Sequence, residues 1–302
     1  MVRGSGPATP VQCGYRLPLP PGAGALPRAC NRGSATLNWD DLRRELDLWA
    51  AADRVAAFWW RDDDAQEGGP ALVRLLDLAG EFGLQIGLAV VPAAAGSELP
   101  DTLAVHPNVS VLQHGYRHQN HAAVGHRPVE CGGDRPVKEV VAELKAGFRR
   151  LSEIFGPRFE PILAAPWNRI DAPVLARLPQ AGYRGASAMG PRRGWDKAPG
   201  LCMANIHVDP LTWRGGPRFA GRDKALAAVL GELRARRTTA ADPEEPLGIL
   251  THHRDHDEST WAFLQDFLQI ATAHAAARWL DIAEVFSSEP DAVSPLPRPP
   301  LL

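Results

Sequence analysis

Three groups of ionisable residues have types and spacings that could do chemistry together. The first is the acidic run Asp62-Asp63-Asp64, preceded by Arg61. Three adjacent carboxylates repel one another and are stabilised by a cation, although such a run also serves as a solvated loop or a helix cap. The second is His114-Gly-Tyr-Arg-His118, with His121 and His126 shortly after. Histidines spaced i, i+4 lie on one face of a helical turn, within reach of one metal ion. A catalytic zinc site takes about three protein ligands and keeps a position for water, so a carboxylate of the acidic run would complete the set. His121 and His126 are rival ligands by spacing. The third group is His252-His253, close to Asp255 and Asp257. A histidine there could be a general acid or base, its ordinary pKa lying near neutrality. The alternative is a loop pair hydrogen-bonded to the nearby acids.

The elements that must position these groups alternate in type. Asn38 and Asp40 can cap a helix to about Asp53, with Leu42, Leu46 and Trp49 on one face. Apolar runs predict strands over Val55–Trp60, Leu84–Val91, Val109–Gln113, Ile162–Ala165 and Leu247–Thr251. Helical spacing predicts helices over Pro70–Phe82, Val137–Phe155, Pro173–Ala181, Asp223–Arg236 and Glu258–Ala276. Alternating strands and helices predict βαβ units around a parallel sheet or barrel. In such folds sites gather at the carboxyl ends of strands. The acidic run, the His114 loop, Pro166-Trp167-Asn168-Arg169 and His252-His253 each directly follow a predicted strand.

Composition narrows the class. The chain has 302 residues, 45% hydrophobic, with a net charge of -2. A sizeable core can be buried, a basic nucleic-acid-binding domain is disfavoured, and a wholly disordered chain is excluded. The four cysteines, at 13, 30, 131 and 202, form no CxxC pair, which argues against a disulfide framework or a cysteine-rich zinc module. The longest uncharged apolar stretch, Phe82–Ser97, is interrupted by Gly83, Gly87, Pro92 and Gly96 and is shorter than the ~20 residues a spanning helix needs. Residues 1–36 hold six Pro and six Gly and read as a flexible leader without the apolar run of a signal peptide. Residues 287–302 hold five Pro and read as a tail, leaving one folded domain over 37–286.

Together these strings resemble the polysaccharide deacetylase family, the NodB homology domain or carbohydrate esterase family 4. Its TFDDG motif is matched by Trp60-Arg61-Asp62-Asp63-Asp64, its H[ST]xxH by His114-Gly115-Tyr116-Arg117-His118, and its RxP[YW] by Ala164-Ala165-Pro166-Trp167. Asp209 through Trp213 and Leu250-Thr251-His252 match its last two motifs. The strings RDDDA, QHGYRHQNHA, PWNR, HVDPLTWRG and LTHH are closest to a bacterial subgroup linked to lipopolysaccharide or capsule biosynthesis.

The resemblance implies a distorted, incomplete (β/α) barrel and metal-dependent removal of an acetyl group from an N-acetylated sugar or glycan precursor. By this match Asp62 is the catalytic base and His252 the catalytic acid. Asp63, His114 and His118 hold one divalent metal ion, zinc first, with cobalt or nickel as substitutes. Trp167, Asn168, Asp209 and Trp213 bind substrate. The absence of a leader signal and of a spanning segment implies a cytoplasmic enzyme with no nucleic-acid partner. Two departures stand out. Asp64 replaces the motif's Gly, and Ala164 replaces the Arg that pairs with the catalytic Asp. Arg61 and Arg169 are the substitutes near in sequence. Neighbouring side chains on a strand point to opposite faces, so Arg169 is the expected partner of Asp62, with Asp171 as its rival acceptor. Other readings are a hydrolase of another small amide and a catalytically impaired carbohydrate-binding homologue.

Overall fold

The computed structural model describes residues 36–192 and 199–287. Apart from Thr36 and Ser287, the expected leader and tail lie outside the described residues.

Helix α1 (Trp39–Ala51) starts on a capping box, with Asn38 and Asp41 satisfying each other's backbone N–H groups. Its Leu42, Leu46 and Trp49 are buried, as their spacing predicts. The next strand is β1 (Ala56–Ala65), followed by α2 (Pro70–Glu81), β2 (Ile86–Val90), the short α3 (Leu99–Ala104) and β3 (Val109–His114). After α4 (Val137–Phe155) come β4 (Phe159–Ala164), the one-turn α5 (Ala172–Leu175), β5 (Gly185–Ser187) and β6 (Cys202–Met203). A small hairpin, β7 (Leu211–Thr212) with β8 (Arg218–Phe219), precedes α6 (Arg222–Arg237) and β9 (Leu247–Thr251). The chain then forms α7 (Glu258–Ala273), β10 (Ala277–Trp279) and α8 (Ile282–Val285).

The main sheet is parallel, in the order β10-β1-β2-β3-β4-β5-β6, with β9 also on β1. It curls: the segment after β6 bridges β5's end through Ile206 with Met189, and β9 through Val208 with Ile249. This is the expected α/β architecture, an incomplete barrel wrapped in helices. Trp59, Ala89, Leu112, Ile162, Ala164, Ile206 and Leu250 cluster inside the curl with Ile282 and Phe286 of the last turn. Two glycines make room there. A Cβ on Gly87 would stand 2.8 Å from Ile282 Cδ1, and one on Gly185 2.5 Å from Phe286 Cδ1. On the outer side, Phe58, Trp60 and Leu88 pack against helices α1, α2, α6 and α7. Among the described residues no helix is long and apolar enough to cross a membrane.

Three element boundaries differ from the sequence expectation for reasons visible in the structure. Strand β1 continues past Trp60 through the acidic run to Ala65, because those carboxylates are paired rather than solvated. The helix expected over Pro173–Ala181 stops at Leu175, because Pro179 has no N–H to donate to the Leu175 carbonyl four residues back. The last long helix ends at Ala273, and the residues after it form β10, which adds to β1.

Candidate active site at the strand ends

The acidic run inherits its geometry from β1. Alternation along the strand puts Trp59, Arg61 and Asp63 on the inner face and Phe58, Trp60 and Asp62 on the outer. Arg61, fully buried, has Nε 2.8 Å from Asp63 Oδ1, and its Nη2 donates to Asp63 Oδ2 at 2.9 Å. It also donates to Ser187 Oγ at 2.6 Å and to Asn168 Oδ1. After Asp63 the alternation breaks. The pairing with β2 shifts register between Asp62 and Ala65, and Asp64 adopts φ +67°, the left-handed region. That turn brings the Asp64 carboxylate to the inner side, beside the two histidines. Oδ1 stands 3.1 Å from His114 Nε2 and 3.2 Å from His118 Nε2.

The histidine loop is held from behind. His114 closes β3, and its Nδ1 faces the Ala164 carbonyl at 3.0 Å. A carbonyl accepts only, so Nδ1 carries a proton, and Nε2 is the atom that faces Asp64. Gly115 takes φ +57°, where a Cβ would lie 1.9 Å from Glu130 Oε2. Glu130, buried, accepts the backbone N–H groups of Arg117 at 2.7 Å and Tyr116 at 3.2 Å. His118 follows at φ +54°, its ring 5.2 Å from that of His114 and 4.3 Å from Trp167.

Asp64, His114 and His118 can each offer one ligand atom, all within 4.8 Å of one another. Two imidazole nitrogens and a carboxylate oxygen suit a divalent metal of the zinc type. Asp64 Oδ1 is buried and has no hydrogen-bond partner, since neither imidazole meets it at a hydrogen-bond angle. The donor set therefore fits a cation. Burial acts to raise the Asp64 carboxyl, but His114 and His118 outweigh it and hold the group well below the usual carboxylate range. Burial and neighbouring His114 push the His118 imidazole down.

On the other side of the mouth stands His252, at the end of β9. Its Nδ1 is 4.0 Å from Asp209 Oδ2, and its ring meets that of Trp213 edge-on at 4.6 Å. Asp209 accepts from Trp213 Nε1 and the Leu211 N–H, both at 2.8 Å. Burial pushes the Asp209 carboxyl up. Trp213 remains 47% exposed, so it forms a rim rather than core.

The geometry corrects the expected assignments by one position. Asp64, not Asp63, joins His114 and His118, and Asp63, not Asp62, has the arginine. Asp62 faces outward, where it accepts from Thr251 Oγ1 at 2.7 Å and from the His253 N–H at 3.0 Å. Its Oδ1 lies 2.5 Å from His253 Nδ1. The expected compensating residue, Arg169, donates instead to the Pro128 carbonyl at 2.8 Å, and Asp171 receives Gly133 N–H. Arg61 fills that role because two residues along a strand share a face. Among the described residues His121 and His126 join no such donor cluster. Of the two acids near His253 in sequence, Asp257 is engaged in capping α7 through Thr260. Glu130 escaped sequence reading, since nothing in its surroundings marks a carboxylate 12 residues beyond His118 as an anchor for that loop.

No family model and no curated protein matches the chain. Solved structures do. A protein from Mycobacterium smegmatis assigned as a polysaccharide deacetylase is similar at TM-score 0.54 and 18% identity, over 78% of this chain and 90% of that one. A family 4 acetyl xylan esterase from Clostridium thermocellum, in complex with a cobalt ion, is similar at TM-score 0.50 and 10% identity, over 76% and 90%. At such identities the likeness is one of architecture: the chain has the curled parallel α/β fold of NodB-type deacetylases.

Proposed function

We propose that the chain is a metal-dependent hydrolase of carbohydrate esterase family 4 that removes an acetyl group from an N-acetylated sugar or glycan. One observation carries the reading. The Asp64–His114–His118 donor set, an arginine-oriented carboxylate on Asp63 and His252 beside Asp209 all lie at strand ends of one sheet. That is the equipment amide hydrolysis needs: polarisation, a base and an acid.

Asp64, His114 and His118 hold the ion, zinc first on the donor set, with cobalt or nickel as substitutes. When bound, the cation supplies Lewis-acid polarisation of the acyl oxygen and a lowered pKa for water. Asp63 takes the proton from the attacking water at a carboxylate oxygen, and Arg61 keeps that carboxylate oriented. His252 gives a proton from Nε2 to the leaving nitrogen, with Asp209 Oδ2 4.0 Å from its Nδ1. Trp167, beside His118, and the exposed Trp213 form walls on which a sugar ring can lie. Asn168 works through Arg61 rather than on substrate.

Trp213, 47% exposed beside His252, favours a sugar over a small enclosed amide. The impaired-homologue reading rested on the missing motif arginine, and Arg61 supplies its charge. The strings around RDDDA, HGYRHQNH and LTHH support a substrate in bacterial lipopolysaccharide or capsule synthesis. The test is acetate release from N-acetylglucosamine oligomers by protein stripped of metal and reloaded with zinc, cobalt or nickel. One bound equivalent and metal-dependent release are expected. Full metal loading with release only from small linear or cyclic amides would overturn the sugar assignment.

A further inference from the structure

Asp62 is fully buried, charged, and outside the chemistry assigned above. Its contacts all run to the β9 end. Trp60 Nε1 donates to Thr251 Oγ1 at 2.9 Å, and that hydroxyl donates to Asp62 Oδ2 at 2.7 Å. The other contacts are to His253, at backbone N–H and ring. His253 is itself buried. Between these two partners sits His252, the residue at the mouth.

We propose that the Asp62–His253 pair is a positioning clamp for His252. This rests on reading His252 as the proton donor. The residue has φ −139° and ψ 85°, a conformation that no regular element imposes. It is fixed instead by its neighbours. Its own N–H points to His256 Nε2 at 3.4 Å, and its carbonyl accepts from the Asp255 N–H at 2.9 Å. The next N–H, that of His253, is held by Asp62. A buried carboxylate that binds a backbone N–H and the imidazole of the same residue sets the peptide plane after His252. That plane sets where the His252 ring stands relative to Asp209 and Trp213. A shift of about 1 Å in a proton donor is enough to cost ~10²-fold.

The clamp is tested by its dependence on the leaving group. An amide needs the leaving nitrogen protonated; para-nitrophenyl acetate, with a good leaving group, does not. Asp62→Asn and His253→Ala should lose roughly 10–100-fold in kcat on N-acetylglucosamine oligomers, with KM little changed, and stay within about 2-fold on the aryl ester. His253→Asn, whose amide can donate to Asp62 from the place of Nδ1, should restore most of the amide activity. Hydrogen exchange at the His253 N–H should quicken about 10-fold in Asp62→Asn. Equal loss on amide and ester, or no loss on either, overturns the clamp. A wild-type protein that hydrolyses neither probe counts against the proposed function instead. Unchanged exchange in Asp62→Asn overturns the clamp in that case too.

Discussion

Arg61 and Asp63, two residues apart on β1, face each other inside the curled sheet, the guanidinium lying along both carboxylate oxygens at 2.8 and 2.9 Å. Both are buried, and the arginine continues to Ser187 on β5 and to Asn168 in the loop after β4. One side chain thus ties three strand ends together. Replacing Arg61 by Met leaves a buried, unpaired carboxylate, which costs about 3–5 kcal/mol. Arg61→Lys keeps the charge but not the fork, and should cost less. Urea unfolding of the three proteins gives the order.

Asp63 and Asp64 should separate cleanly on substitution despite being neighbours. Asp64→Asn should weaken zinc binding by at least the ~10–100-fold that loss of even an outer-shell partner costs. Asp63→Asn should keep zinc and lose turnover by about 10²–10⁴-fold. Isothermal titration with zinc beside acetate release distinguishes them, and the opposite pattern would restore the sequence register.

Gly115→Ala should damage the histidine loop. The added methyl meets Glu130 Oε2 at 1.9 Å and Pro166 Cγ at 2.5 Å, at a backbone φ of +57°. Strain and overpacking together should cost roughly 1–3 kcal/mol. A thermal melt reads that cost, and zinc affinity should fall as Glu130 is pushed off the Tyr116 and Arg117 N–H groups.

His256 gives stability a dependence on acid. Burial pushes its imidazole down to about 4. The groups around it are Asp62, which raises it, His252 and His253, which lower it, and Asp257 at the head of α7, which raises it. The folded ring stays neutral where an unfolded one, with a pKa near 6.5, takes a proton. The stability it contributes is therefore present above about 6.5 and is lost as pH falls towards about 4. Between pH 7 and pH 4 the wild type should lose roughly 3 kcal/mol more than His256→Phe. Denaturant unfolding at the two pH values measures the difference, and equal losses would refute it.

The strand ends were legible in the sequence because apolar runs stop abruptly at charged or histidine-rich strings. The histidine pair was suggested by its spacing, whereas His252 was separated from His253 only by the family resemblance. The acidic run misled because carboxylates are poor strand formers, so the strand seemed to end at Trp60. Alternation carried two residues further would have paired Arg61 with Asp63. The left-handed turn at Asp64 has no comparable signal, since it follows from a register shift against β2. Strand β10 is three residues long and exists only because β1 offers it an edge.

The floor of the barrel is laid by the end of the folded chain. Residues of β1 pair with residues of β10 about 220 positions later, and Ile282 and Phe286 enter the space beside Gly87 and Gly185. At ribosomal rates of roughly 5–20 residues per second, some 10–45 s separate synthesis of the first strand from synthesis of its last neighbour. Once β4 is made and until the last turn arrives, the nascent chain can present an unsealed apolar surface that includes Trp59, Leu112 and Ile162. Vectorial synthesis therefore exposes this sheet to chaperones and to aggregation longer than its helices, and a ribosome stalled before Phe286 would leave that surface uncovered.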